Sequence, residues 1–119
     1  MLLDSNIIIL AALPKHEILR KLIADKNPAL SIVSRLEVLG YHALKKAEEK
    51  YFEVFFEAAK VLAVSEPVVD RAIHLRKQKN MTLGDALIAA TALVYDKTLI
   101  THNTKDFKWI KNLKLLDPL

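Results

Sequence analysis

The sequence has no cysteine, only two glycines and one tryptophan among its 119 residues. The absence of cysteine excludes disulfides and thiolate metal sites. Gly40 and Gly84 stand in neither a GxGxxG nor a Walker-type sequence, which argues against a loop that binds nucleotide phosphates. Apolar runs are short and broken by charges, and none reaches the roughly 18 residues that a membrane helix needs. These absences leave a small soluble protein without a nucleotide loop.

The length of the chain limits it to one domain, spanning residues 1–119, which is large enough to bury about two-thirds of its surface. The first residues, Met1 to Asp4, reach a carboxylate at once and lack the basic and apolar regions of a secretory signal. Together with the lack of cysteine, this favours a cytoplasmic location. The 18 Lys and Arg exceed the 14 Asp and Glu, for a net charge of +4. A basic excess suits a nucleic-acid partner but also occurs in many other proteins.

Short apolar runs alternate with helical patterns along the chain. The runs predict strands at 2–3, 29–33, 61–64 and 98–101, with a weak last strand at 114–116. Apolar spacing predicts helices over 15–27, 34–47, 48–60, 65–80 and 84–96. This alternation predicts an α/β fold with a central, mainly parallel sheet of four or five strands.

Four acidic residues lie near the ends of predicted strands or the start of the next helix: Asp4, Glu37, Asp85 and Asp106. Each of the first three has a simpler interpretation as a helix cap, because Ser34 to Glu37 and Thr82 to Asp85 match capping boxes. In a parallel sheet, however, residues after strands meet at one edge, where open α/β sheets bind ligands. The helix from Gly84 precedes a strand and runs antiparallel to it, so Asp85 is expected at the same edge.

Gathering four carboxylates is unfavourable unless something offsets their charge. Two carboxylates about 4 Å apart repel by roughly 4 kcal/mol at an effective dielectric of about 20. A helix terminus returns only about 0.3 to 1 kcal/mol. Either some acids stay protonated or a cation binds. Oxygen ligands without cysteine or a paired-histidine motif indicate Mg²⁺ or Mn²⁺, ions that activate water and polarise phosphodiesters.

Four segments, LLDSNIII, SIVSRLEVLG, LGDALIAATAL and TLITHNTKDF, resemble the PIN-domain ribonucleases in order and spacing, over essentially the whole chain. Within that family they are most similar to VapC-type toxins of toxin–antitoxin pairs. The resemblance implies an α/β/α fold and a Mg²⁺ or Mn²⁺ site that hydrolyses RNA to 5′-phosphate and 3′-hydroxyl ends. Asp4, Glu37 and Asp85 match the three best-defined acids of the family, and Asp106 matches the more variable fourth. Asn6, Thr101 and Asn103 match polar positions that orient ligands or water.

The chain departs from the family in two ways. It is short for the group, and Ser5 stands where threonine is commoner, a change that keeps the hydroxyl. Neither departure removes a carboxylate, so we expect an active metal-dependent endoribonuclease. The resemblance also implies an RNA substrate, a cognate antitoxin protein and a homodimer. A PIN-like RNA- or protein-binding module without turnover is the alternative, and the complete acid set argues against it.

Aromatic residues leave two further alternatives open. Tyr51, Phe52, Phe55 and Phe56 form two rows at i, i+4 spacing, which predict either a core face or a surface for a dimer or antitoxin. Trp109 either packs under the C-terminal segment or stacks on a base. Candidate phosphate contacts are spread over the basic side chains Arg35, Lys45, Lys105, Lys108 and Lys111.

Overall fold

The structure is a computed structural model that describes residues 1–119. It contains five short strands: β1 (Leu2–Leu3), β2 (Ala29–Ser31), β3 (Val61–Leu62), β4 (Leu99–Ile100) and β5 (Leu115–Leu116). They form one sheet in the order β3-β2-β1-β4-β5, and every neighbouring pair is parallel. The prediction of a mainly parallel sheet of four or five strands is confirmed, with β1 at its centre.

Seven helices surround the sheet. They are α1 (Ser5–Ala11), α2 (Glu17–Lys26), α3 (Ile32–Leu39), α4 (Lys46–Ala58), α5 (Glu66–Gln78), α6 (Leu83–Val94) and α7 (Thr104–Phe107). None of them combines the length and the apolar character needed to span a bilayer.

The sheet separates two buried cores. Successive side chains of a strand point to opposite faces, so Leu2 belongs to one core and Leu3 to the other. The Leu2 core is covered by α5 and α6, whereas the Leu3 core is covered by α1, α2 and α4. This is the expected three-layer α/β/α arrangement. Buried alanines of α6, including Ala86 and Ala89, allow α5 and α6 to pack closely.

The predicted start of α3 was wrong by two residues. Ser31, rather than Ser34, is the N-cap, and its hydroxyl accepts a hydrogen bond from the Val33 N–H at 3.1 Å. The chain therefore turns from β2 into α3 without a break, and the predicted strand 29–33 ends at residue 31. The predicted helix over 34–47 was also too long, because α3 ends at Leu39 and α4 begins only at Lys46.

The aromatic rows of α4 divide between core and surface. Phe52 and Phe56 are buried in the Leu3 core. Phe55 is half-buried, and Tyr51 remains 43% exposed. One row is thus core, and the other contributes to the surface.

Candidate active site

Asp4 lies at the centre of the site because it follows the central strand β1. It is the N-cap of α1, and one carboxylate oxygen accepts a hydrogen bond from the Ser5 N–H at 2.8 Å. The other oxygen accepts one from the Thr101 hydroxyl, also at 2.8 Å. Thr101 follows β4, the neighbour of β1, so the sheet order itself brings this partner from 97 residues away. The Asp4 side chain is therefore fixed and only 5% exposed.

Ser5 holds Glu37 beside Asp4 and is itself in contact with Ser34. The Ser5 hydroxyl donates a hydrogen bond to Glu37 Oε1 at 2.7 Å and lies 2.9 Å from the Ser34 hydroxyl. Both serines are buried. Glu37 stands in the second turn of α3 rather than directly after β2, so it is not the capping-box residue that the sequence predicted. Its carboxylate is oriented by the Ser5 hydroxyl instead.

The other oxygen of Glu37 lies against the start of α6. A Cβ added to Gly84 would stand only 2.7 Å from Glu37 Oε2, so glycine leaves the space that this carboxylate occupies. Thr82 is the N-cap of α6 and accepts a hydrogen bond from the Asp85 N–H at 3.1 Å. The prediction of Thr82 as the cap is confirmed. The backbone of Asp85 is thus satisfied by Thr82, and its half-buried carboxylate is free to face Glu37.

Burial and mutual repulsion raise the pKa values of two of the acids, Asp4 and Asp85. Burial raises the pKa of Asp4, the Thr101 hydrogen bond opposes this, and the charges of Asp85 and Glu37 raise the pKa further. Burial also raises the pKa of Asp85, against the hydrogen bond from Thr82, and the charges of Asp106 and Glu37 add to the increase. The four predicted acids therefore form one electrostatically coupled group, in which Asp106 couples to Asp85 from the outer side.

No basic side chain forms an ion pair with this group. The two ion pairs of the structure join His102 to Asp117 and Lys114 to Asp96, away from the four acids. The carboxylates therefore keep a negative field in a chain whose net charge is +4. A group of like charges without a counter-charge is a common feature of cation sites and of tuned catalytic acids.

The donor set fits a hard divalent cation in its chemistry, since it consists of carboxylate and hydroxyl oxygens. No three of the His, Asp and Glu side chains converge closely enough to hold one ion directly. This spacing suits Mg²⁺, which keeps several waters and binds through one or two carboxylates. Asp4 and Glu37, both oriented by hydrogen bonds, and Asp85 opposite them would hold such an ion partly through water.

The predicted supporting residues differ in their placement. Thr101 is buried, donates to Asp4, and accepts a hydrogen bond from the Asn103 N–H at 3.0 Å. Asn103 is the half-buried N-cap residue of α7, and its side chain makes no capping bond. Asn6 is exposed in the first turn of α1, beside Ser5. The structure thus gives Thr101 a definite contact with an acid and gives none to Asn6 or to the Asn103 side chain.

Sequence reasoning missed three residues of the site. Ser5 was noted only for its hydroxyl, Ser34 was assigned to a cap, and Gly84 was assigned no role beside an acid. One signal was available for Gly84, because it is one of only two glycines and opens a helix. No local signal identifies the contact of Ser5 with Glu37, which joins residues 32 apart.

Comparison with known proteins agrees with this fold. The PIN domain model matches residues 1–113, and the chain belongs to the PIN domain family. Ribonuclease VapC10 of Mycobacterium tuberculosis is 33% identical over 95 residues, which cover 76% of this chain and 70% of the relative. The predicted resemblance to VapC-type PIN domains is confirmed.

Two solved structures resemble the whole chain. A toxin–antitoxin complex from Klebsiella pneumoniae contains a chain with a TM-score of 0.80 and 28% identity, with 99% of this chain and 97% of that chain covered. VapBC from Salmonella typhimurium bound to DNA gives a TM-score of 0.86 at 20% identity, with the same coverage of 99% and 97%. The second likeness shows the fold alone.

Proposed function

We propose that this protein is a metal-dependent endoribonuclease and the toxin of a toxin–antitoxin pair. The observation that carries the proposal is the un-neutralised group of Asp4, Glu37, Asp85 and Asp106 at the carboxyl edge of a PIN-domain sheet. The chain's similarity to a VapC ribonuclease supports RNA as the substrate, and its similarity to a chain of a toxin–antitoxin complex supports the role of a toxin.

The chain's own residues would orient the reacting groups. Thr101 and the Ser5 N–H fix Asp4, while the Ser5 hydroxyl fixes Glu37. A divalent ion bound there supplies Lewis-acid polarisation of the phosphodiester and a lower pKa for the attacking water. Asp4, Glu37 and Asp85 would hold this ion, and Asp106 would help to hold a second ion or position the attacking water. In-line attack of this water on phosphorus would break the P–O3′ bond and leave 5′-phosphate and 3′-hydroxyl ends.

Cleavage of a mixed RNA in Mg²⁺ or Mn²⁺ tests the proposal. Asp4→Asn and Asp85→Asn keep the size of the side chain and remove its charge, and each is expected to slow cleavage by at least about 100-fold, as loss of one electrostatic stabiliser does. Asp25→Asn is the matched control, because Asp25 is exposed near the end of α2, just before β2 begins and thus at the opposite edge of the sheet. EDTA is expected to abolish cleavage. Equal rates for all three variants would refute the site.

We also propose that the protein forms a homodimer through an apolar surface on α3, α5 and α6. Leu36 is 74% exposed and Leu83 is 61% exposed. Leu36 lines a cleft of about 680 Å³, and Leu83 lines an adjoining cleft of about 400 Å³. The two clefts share Leu87. Exposed apolar surface of this kind marks interaction sites. Light scattering of the wild type is expected to give twice the chain mass, and Leu83→Asp is expected to give a monomer; a monomeric wild type at micromolar concentration contradicts this.

An antitoxin is the second proposed partner. The un-neutralised acids favour a protein segment with a basic side chain that enters the site and blocks RNA. Addition of the purified antitoxin is expected to stop cleavage, and a variant of it without that basic side chain is expected to inhibit less. Undiminished cleavage at saturating antitoxin contradicts this assignment.

A further inference from the structure

A cavity of about 520 Å³ opens beside the outer pair of acids, between the end of α5, the start of α6 and α7. It is lined by Asp85 and Asp106, by Arg76, Lys79, Lys105 and Trp109, and by Asn80, Met81 and Thr82. Its volume lies in the range of pockets that bind small molecules. The cavity is thus large enough for a nucleotide and adjoins the proposed cleavage site.

Trp109 lines this cavity, and its one polar side-chain atom is already engaged. Its indole N–H already donates a hydrogen bond to the Asp106 carbonyl oxygen at 3.0 Å, which fixes the ring relative to an acid of the site. The residue is only half-buried, although it also packs against the Leu2 core. The part of the ring that remains free can therefore stack but cannot read a base by hydrogen bonds.

Lys79 marks one face of the Trp109 ring as accessible to a cation. Its Nζ stands 5.6 Å from the Trp109 ring centroid, within the range of a cation–π contact. The Lys79 side chain is exposed and makes no ion pair. It can move from the ring to a phosphate at small cost, which leaves the ring for a base.

The other two cations of the cavity are also unpaired. Arg76 donates from Nε to the Met81 carbonyl oxygen at 3.4 Å, and neither it nor Lys105 forms an ion pair. Three exposed cations thus lie beside two carboxylates without pairing with them. Phosphates that continue past the acids would meet these cations, whereas an uncharged ligand would leave them unused.

We propose that this cavity is a nucleotide subsite, which rests on the proposed ribonuclease function. The base next to the cleaved phosphodiester stacks on Trp109, and the adjoining phosphates contact Arg76, Lys79 and Lys105. Because stacking tolerates any base and the Trp109 indole N–H is already engaged, Trp109 favours purines only modestly over pyrimidines, through stacking strength.

The single tryptophan of the chain makes the subsite directly observable. The Asp4→Asn variant in Mg²⁺ is titrated with an RNA octamer of mixed sequence, and quenching of Trp109 fluorescence is expected on binding. Wild-type cleavage of the same RNA is measured in parallel. Purine octamers are expected to bind more tightly than pyrimidine octamers.

Variants separate stacking and charge from packing. With end-labelled RNA followed by anisotropy, Trp109→Leu is expected to lose about tenfold in affinity, whereas Trp109→Phe keeps most of it. Lys79→Gln and Lys105→Gln are each expected to lower affinity severalfold and to reduce the slope of log affinity against log salt by about 0.7. Lys50→Gln is the matched control, an exposed lysine on α4 across the sheet. Because Lys79 and Lys105 are exposed, their substitution leaves the thermal midpoint unchanged and tests the subsite even where Trp109→Leu unfolds.

The outcomes are distinct. The subsite is overturned, and the proposed nuclease stays intact, if the wild type cleaves RNA but two other results are negative. These are unchanged Trp109 fluorescence on RNA binding and equal RNA affinities of Lys79→Gln and Lys50→Gln. If the protein neither binds nor cleaves RNA, the proposed nuclease function itself is overturned. Quenching by an octaglutamate peptide but not by RNA assigns the cavity to an acidic protein segment and also overturns the subsite.

Discussion

At the scale of single residues, Asp4 serves both as a helix cap and as a member of the acid group. Its two oxygens accept from the Ser5 N–H and from the Thr101 hydroxyl, so the carboxylate satisfies one free amide of α1 and is held toward the other acids. The two interpretations that the sequence left open are therefore compatible. The cap stabilises the helix, whereas the ionised charge in a buried position opposes folding.

Asp4→Asn separates these two effects. Asparagine caps a helix about as well as aspartate, but it removes repulsion with Asp85 and Glu37. Without divalent cations at pH 7, we expect the free energy of unfolding to rise by on the order of 1 kcal/mol, the size of a partly screened carboxylate repulsion. The thermal midpoint would then rise by about 4 °C. Thermal unfolding by circular dichroism measures this, with Asp25→Asn as control, and a lower midpoint for Asp4→Asn contradicts it.

Glu37 shows what sequence reasoning can and cannot establish about a residue. The S/T-x-x-E pattern at Ser34 correctly marked the neighbourhood of a helix start, but Ser31 caps the helix. The actual partner of Glu37 is Ser5, which comes from another helix. Local pattern predicts a carboxylate near a helix start; only the tertiary fold decides which hydroxyl orients it.

At the scale of elements, the approach of α3 to α6 depends on Gly84. Its backbone does not have positive φ, so glycine is not required there for conformation. It is required for space, because Glu37 Oε2 occupies the place of a Cβ. Glycine within a helix is less favourable than alanine by about 1 kcal/mol. The start of α6 therefore gives up some stability so that two acids can approach.

Gly84→Ala tests whether this glycine lowers the stability of α6 while it allows Glu37 to lie near Asp85. The Glu37 side chain is exposed and flexible at its end, so it can move away from the new methyl group. We expect the free energy of unfolding to rise by about 0.5 to 1 kcal/mol, while RNA cleavage falls by about tenfold because Glu37 is displaced from its place near Asp85. Denaturant unfolding and initial rates measure the two effects.

The Gly84→Ala prediction has an internal control in Glu37→Gln. If Gly84 acts through Glu37, the loss of cleavage in the double variant equals that of Glu37→Gln alone, as expected for residues in contact. Additive losses would show that Gly84 acts otherwise. Full activity of Gly84→Ala with increased stability would show that the position of Glu37 is unimportant.

The sequence predicted whether a segment is a helix or a strand better than it predicted where the segment begins and ends. All five strands were located by their apolar runs, although each has only two or three residues. The helix after β2 was extended too far because residues 43–47 have helix-forming side chains, whereas the chain leaves the helix after Leu39 and α4 begins only at Lys46. The four-residue α7 was missed, since one turn leaves no periodic apolar pattern. It nevertheless carries Asp106, whose position the strand before it made predictable.

At the scale of the whole molecule, the order of strands gathers the site. β1 lies between β2 and β4, so Asp4 after β1 is flanked by α3 after β2 and by Thr101 after β4. α6 leads into β4 and brings Asp85 back to the same edge. The alternation of elements predicts a parallel sheet and one functional edge, but the central position of β1 comes from packing between distant segments.

The coupled acids predict how stability depends on pH. The pKa values of Asp4 and Asp85 are raised in the folded protein. A carboxylate of this kind binds its proton more tightly when folded, so its stabilising contribution is full below the unfolded pKa of about 3.9 and is lost as pH rises through the folded pKa.

Other groups titrate in the same range, so the comparison must isolate these two acids. The free energy of unfolding of the wild type, minus that of the Asp4→Asn/Asp85→Asn double variant, is expected to decrease from pH 4 upward without divalent cations. Urea titrations at several pH values measure this difference. The contribution of Asp117, whose pKa is lowered by hydrogen bonds from the Leu119 N–H and from His102, cancels in the subtraction. A difference that is flat or increases with pH contradicts the prediction.

If the acids bind divalent cations, these ions should offset the stability that is lost when Asp4 and Asp85 ionise. Binding to the folded state alone adds RT ln(1 + [L]/Kd), about 2.7 kcal/mol at a concentration of 100 times Kd. We therefore expect Mg²⁺ or Mn²⁺ to raise the thermal midpoint of the wild type, more at pH 7.5 than at pH 5, where protons compete for Asp4 and Asp85. The double variant should show almost no increase, whereas Asp25→Asn should behave as the wild type. Because this readout needs no RNA, an equal increase in all three proteins would place the ion elsewhere, even in a protein that cleaves RNA.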